Sequence, residues 1–148
     1  DNFIIDKSDK FAQLFIGFLA GISGAAGAIG MITLIGAAIG LMNIMLVAVN
    51  ERTREVGLIK ALGGKRKDVR RQFLFESVII SLLGAVFGIL LGVLVGNIFS
   101  VVLSTGFVIP WFWVITGIVI CSGVGLAAGI YPAMKAASLN PINALRYE

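Results

Sequence analysis

Residues 50–71, from Asn50 to Arg71, read NERTREVGLIKALGGKRKDVRR and gather eight of the chain's twelve Lys and Arg residues into 22 positions. The flanks are the opposite. No charge occurs from Phe11 to Val49, and only Glu76 is charged from Gln72 to Met134. A block this polar between stretches this apolar belongs in water at a membrane surface. Function is expected to run through it, as the part on which something pushes or pulls.

The composition supports that placement. Of 148 residues, 58% are hydrophobic and 14% are charged, with a mean hydropathy of +1.00; a soluble domain carries about 25% charged residues. A helix needs about 20 apolar residues to cross the bilayer core. Three stretches reach that length, so the fold class read here is an all-α integral membrane protein with three transmembrane helices. The net charge of +4 and pI of 9.6 are put down to orientation in the bilayer, because the cations flank membrane spans; no nucleic-acid partner is expected. Cys121 is the single cysteine and lies in an apolar stretch, and histidine is absent, which removes the commonest general base and metal ligand. Asp1–Lys10 does not resemble a signal peptide. With no initiator Met, the sequence reads as a piece of something longer.

Phe11–Asn50 contains 40 uncharged residues, about 60 Å of helix at 1.5 Å per residue. That is twice the ~30 Å hydrocarbon core. Part of it must stand outside the membrane, pack in protein or break, and Gly21–Gly30 (GISGAAGAIG) is the expected weak spot because glycine is a poor helix former. The span is placed at 27–48, with 1–26 as an outer segment and a stalk-like helix leading to it. Glu51–Leu62 reads as a short cytoplasmic amphipathic helix ended by Gly63-Gly64, since glycine takes the left-handed cap conformation freely. Residues 51–72 form the basic cytoplasmic region.

The second span, 73–102, carries Gly84, Gly88, Gly92 and Gly96. Steps of four drift by about 40° on a helix, so these glycines make one shallow groove suited to close helix packing. Packing within one subunit and packing between subunits both remain open. Glu76 is read as a buried ionisable group at the cytoplasmic edge. It needs a partner; a structural ion pair with the basic block is preferred to a proton relay. A short uncharged loop, 97–110, leads to Trp111 and Trp113 at an aromatic belt. The third span is 113–131, and residues 132–148 form a cytoplasmic tail that Pro132 and Pro141 should break into a short helix and an end. The loop after the first span holds eight Lys and Arg, the next loop none and the tail two. The basic loop and the C-terminus therefore face the cytoplasm, and residues 1–10 and 97–110 face outward.

Enzymatic chemistry is not expected. Gly63-Gly64-Lys65 imitates a phosphate loop, but Ile59 stands where its first glycine belongs and Arg66 where Ser or Thr belongs. No metal-ligand cluster or nucleophile–base pair stands out. Glu51 and Glu55, interleaved with Arg52 and Arg54, read as a salt-bridged helix face.

The run MNIMLVAVNERTREVGLIKALGGKRKDVRRQFLFESV, Met42–Val78, resembles the permease core of the MacB/FtsX-like family of ABC transporters, closest to its MacB branch. YPAMKAASLNPINALRYE, Tyr131–Glu148, resembles that family's cytoplasmic tail. Together they cover 55 of the 148 residues. The resemblance implies a permease of four spans with a large outer domain between the first two; the first span here matches the family's second. It implies a cytoplasmic ABC ATPase as partner, fused or separate, with ATP and Mg bound there and no cofactor in this chain. It also implies a homodimer or a paired permease, an adaptor outside the membrane, and the cytoplasmic (inner) membrane of a prokaryote as location. Glu51, Arg52, Thr53, Arg54, Glu55, Val56, Gly57, Ile59, Lys60 and Leu62 would form the coupling helix. Val56, Ile59 and Leu62 are taken as apolar anchors sharing one side. The family's function is mechanotransmission, in which the ATPase moves stalks that act outside the membrane; drug or peptide export, lipoprotein handling and signalling stay open.

Two rival readings remain. A small channel or assembly scaffold packed through the glycine groove would need polar pore-lining residues, and the spans offer only Thr33, Asn43, Ser77, Ser81, Thr116 and Ser122. An anionic-lipid clamp would not need the acids interleaved in the basic block.

Overall fold

The computed structural model describes residues 1–140 and 142, and every regular element among them is an α-helix. Four helices follow one another: α1 Asn2–Glu51, α2 Thr53–Ala61, α3 Arg66–Val102 and α4 Trp111–Ala137. The three long ones are long and apolar enough to cross a membrane. The chain divides into two compact units, Asp1–Ala37 and Ala38–Glu148.

The first unit is helical throughout, including Gly21–Gly30. Of the three alternatives, a break at this weak spot is the one that does not occur. Each glycine costs a helix about 1 kcal/mol relative to alanine, whereas a break would forfeit intrahelical hydrogen bonds and require a second helix to nucleate, which is itself unfavourable. The bonded helix wins.

The second unit is built on α3 and α4, which pack against each other, with α2 and the last turns of α1 gathered at one end. There the core consists of Met45 and Val49 of α1, Val56 of α2, Val69 and Phe73 of α3, and Ala133 and Ala136 of α4. Leu41, Leu74 and Leu139 close around it. Burying a side chain the size of Phe73 is worth about 1.5–3 kcal/mol. Along the rest of α3, large apolar side chains such as Leu83, Phe87, Leu90 and Leu94 stay exposed, as a lipid-facing helix requires.

Two boundaries differ from expectation. Pro132 does not break the chain: it lies inside α4, fully buried, and the helix runs on to Ala137. A proline in a helix forfeits one backbone hydrogen bond, but Ala133 and Ala136 beyond it are locked in the core and hold the helical path. Pro141 lies outside the described residues. At the other end, Asn97 belongs to α3 rather than to the loop. Its side-chain amide donates to the carbonyls of Val93 (2.8 Å) and Val108 (3.1 Å), and its Oδ1 accepts from the Val108 N–H at 2.9 Å. One buried amide thereby fixes the return from α3 to α4, through a turn in which Ser104 and Gly106 have positive φ.

Candidate functional site

The basic block folds as a bend, a short helix, a glycine cap and the start of α3. Arg52 separates α1 from α2. The Thr53 hydroxyl donates to the carbonyls of Val49 (3.0 Å) and Asn50 (2.8 Å), replacing regular helix bonds as side-chain hydroxyls do, and so turns the chain. At the far end Gly63 has φ +99°. The Gly63 N–H reaches the Lys60 carbonyl at 3.1 Å, and the Gly64 N–H reaches Ile59 O at 2.9 Å. This is the paired bonding of a left-handed helix cap. A Cβ on Gly64 would sit 2.6 Å from the Ile59 side chain, so both glycines are required. Lys65 then caps α3, its N–H held by the Asp68 carboxylate at 3.3 Å.

The short helix is two-faced. Thr53, Val56 and Gly57 are buried; Arg54, Glu55, Leu58, Ile59 and Leu62 are exposed. Val56, Ile59 and Leu62 therefore do not form one outward side. Val56 is 3% exposed, Ile59 38% and Leu62 81%. Steps of three retreat by about 60° each on a helix, which sets Val56 and Leu62 about 120° apart. Val56 belongs to the chain's own core. The outward apolar pair is Leu58, 53% exposed, and Leu62, with Arg54 and Glu55 on the same exposed side. Glu51 is exposed at the end of α1.

Two cations of the block turn inward. Arg52 Nη1 donates to both carboxylate oxygens of Glu76, at 2.8 and 3.0 Å, and its Nε donates to Glu55 at 3.2 Å. Its guanidinium also lies 5.4 Å from the centroid of the buried Phe73 ring. Glu76 is half-buried, not buried. Its hydrogen bond, opposed by burial and helped by Glu55, raises Arg52 above the ordinary arginine pKa. Lys60 Nζ donates to the carbonyls of Ala137 and, at 2.7 Å, Leu139. These oxygens lie at the end of α4, where backbone acceptors lack helical partners and the helix dipole favours a cation. Burial first and the charge of Arg66 second hold the Lys60 amine below its usual range.

The glycines of α3 are a separate feature. Among the described residues, a Cβ built on Gly84, Gly88, Gly92 or Gly96 meets nothing within 4 Å. A close helix contact lies elsewhere, where a Cβ added to Gly129 or Gly125 of α4 would run into Ser77 or Ser81 of α3.

Residues 27–141 match the family described as FtsX-like permease C-terminal. The chain belongs to this family. The resemblance carried by Met42–Val78 and Tyr131–Glu148 is thus borne out. Among relatives, the macrolide export ATP-binding/permease protein MacB of Bdellovibrio bacteriovorus is 45% identical over 117 residues, 79% of this chain and 18% of its own length. The uncharacterized ABC transporter permease YknZ of Bacillus subtilis is 44% identical over 144 residues, 97% of this chain and 34% of its own. MacB of Campylobacter jejuni is 39% identical over 149 residues, 99% of this chain and 23% of its own. The chain thus spans between about a fifth and a third of the length of the curated relatives it matches. Family and helices together make this FtsX-like chain an integral membrane protein of the ABC transporter permease class.

Sequence reasoning expected Glu76 to pair with the basic block and Glu55 with the interleaved arginines, and Arg52 meets both; it missed the contacts of Lys60 with the end of α4. Asn97, Gly125 and Gly129 escaped it. For the last two a signal was present: Ser77-x-x-x-Ser81 and Gly125-x-x-x-Gly129 are matching rows of small residues, the pattern that close helix pairs in membranes use.

Proposed function

We propose that this chain is the membrane part of a permease that converts the cycle of a cytoplasmic ABC ATPase into movement outside the membrane, in an export or efflux system. ATP and Mg are bound by the ATPase, and this chain does no chemistry of its own. The polar block and the C-terminal tail, 132–148, face the cytoplasm, and residues 1–10 and the α3–α4 turn face outward. Residues 1–26 act as the stalk. Two permease copies, or a related pair, assemble in the inner membrane of a prokaryote, with an adaptor on the outer side.

One observation carries the reading: α2 buries one face in its own chain and leaves Leu58 and Leu62 exposed beside Arg54 and Glu55. A short helix displaying two apolar side chains within a polar surround has the form of a docking element, since interfaces draw most of their energy from a few buried anchors. The printed names of the MacB relatives, which join export to ATP binding, support the same partner.

The test compares two variants of the full permease. Leu58→Asp with Leu62→Asp should abolish co-purification of the ATPase without harming the fold, because both side chains point away from the core. Lys65→Gln, Arg66→Gln and Lys67→Gln together should leave the ATPase bound. The opposite pattern would place the docking element in the basic run instead.

A further inference from the structure

Two cations at opposite ends of α2 reach across to the long helices. Arg52 precedes the first residue of the helix and binds Glu76 of α3; Lys60 stands in its last turn and binds the end of α4. Between them, Gly57 is buried and Val56 packs in the core with residues of the three long helices. The helix has nine residues and is tied at both ends and along one side.

We propose that Arg52 and Lys60 are positioning residues that fasten α2 to α3 and α4 respectively, so that α2 travels as one body with the inner ends of both spans. The proposal rests on the reading of α2 as the docking helix and adds how a push on it reaches the membrane. Force applied at Leu58 and Leu62 does not swing α2 on flexible joints. It passes to α3 through the Arg52–Glu76 pair and to α4 through the Lys60 contacts with the Ala137 and Leu139 carbonyls.

The geometry makes each residue type specific. Arg52 uses Nη1 on Glu76, Nε on Glu55 and its flat face on Phe73 at once. A lysine in its place is a point charge with no planar fork and cannot make all three contacts. Lys60 reaches two carbonyls, that of Ala137 at the end of α4 and that of Leu139 just past the cap residue Ser138. A methionine there keeps the length and loses both hydrogen bonds.

The experiment uses the full permease with its ATPase in lipid nanodiscs, carrying spin labels at exposed Ala61 of α2 and either Lys67 of α3 or Tyr131 of α4. Distances are measured without nucleotide and with ATP plus vanadate. In the otherwise unchanged protein both distances should stay fixed between the two states. Arg52→Lys should broaden the α2–α3 distance alone, and Lys60→Met the α2–α4 distance alone. Both should retain the ATPase on purification yet lower transport-linked ATP hydrolysis by about tenfold, the scale of a lost charge-assisted hydrogen bond. Arg52→Glu combined with Glu76→Arg should narrow the distance again and recover part of the coupling, which a loss of folding would not permit. A nucleotide-dependent change of either distance in the unchanged protein would overturn the proposal. So would full coupling in both single variants. Loss of the ATPase from Arg52→Lys or Lys60→Met would make these residues part of the docking surface. Failure of the docking reading looks different: Leu58→Asp with Leu62→Asp would then keep the ATPase.

Discussion

Glycines four residues apart occur on both α3 and α4, and the two sets meet opposite surroundings. On α4, a Cβ at Gly125 would lie 2.5 Å from the Cβ of Ser81, and one at Gly129 would lie 2.6 Å from the Cβ of Ser77. Both atoms of each pair are fixed by backbone, so no rotamer relieves the clash; only separation of the helices would. On α3, a Cβ at Gly84, Gly88, Gly92 or Gly96 meets nothing within 4 Å among the described residues. The first set is a contact already closed within the chain, and the second is an open row. The difference lies in the neighbour. Ser77 faces Gly129 and Ser81 faces Gly125, an antiparallel register in which small residues on both helices let the backbones approach. Glycine spacing marks where a backbone can be approached, and a matching row of small residues shows which helix approaches it.

The largest test of this contrast is Gly129→Leu. The side chain has no room beside Ser77, whose own hydroxyl is bonded to the Leu74 carbonyl at 2.8 Å. Overpacking of this kind costs about 1–3 kcal/mol, and the upper end is expected for a residue fixed on both sides. Unfolding in mixed micelles should register the loss. Gly129→Ala should cost less and be partly restored by Ser77→Gly, which removes the opposing Cβ. Unchanged stability in Gly129→Leu would mean that the α3–α4 contact is not closed.

Gly88→Leu together with Gly92→Leu addresses the open row. Within a single chain the new side chains enter empty space, so the unfolding free energy should stay within about 0.5 kcal/mol of the parent. Membrane insertion should be normal, while assembly of the paired permease in detergent should weaken. Intact assembly with full activity would leave the row as lipid-facing surface.

The three long helices were legible because uncharged stretches of such length have few other uses, and the block at 50–71 was legible because its charge density ends so abruptly at both sides. The glycine cap at Gly63-Gly64 followed from local backbone preference. Contacts set by tertiary register were not legible. Pro132 read as a breaker because its cost is local, while the core packing that holds it is contributed by α1, α2 and α3. Val56 read as a partner anchor because it is apolar on a polar helix; only the direction of the bend at Arg52 and Thr53 tells that it faces home. Ser77 and Ser81 read as stray polar groups, since small size matters there more than the hydroxyl.

The smallest substitution gives the cleanest reading of the contrast. Gly84→Ala and Gly125→Ala add the same methyl to the middle of a long apolar helix. Both gain the same preference of alanine over glycine, about 1 kcal/mol in water and less where hydrocarbon already forbids an open backbone. That gain cancels when the two are compared, and so does any change in the unfolded chain. What remains is the neighbour: Ser81 at Gly125, and empty space at Gly84. Gly84→Ala should leave the unfolding midpoint of the isolated permease unchanged or slightly raised, while Gly125→Ala should lower stability by about 1–3 kcal/mol through overpacking. An equal fall at both positions would mean that the α3 row is covered within a single chain. The contrast between the two sets of glycines would then be false, and with it the reason to look for a second subunit there.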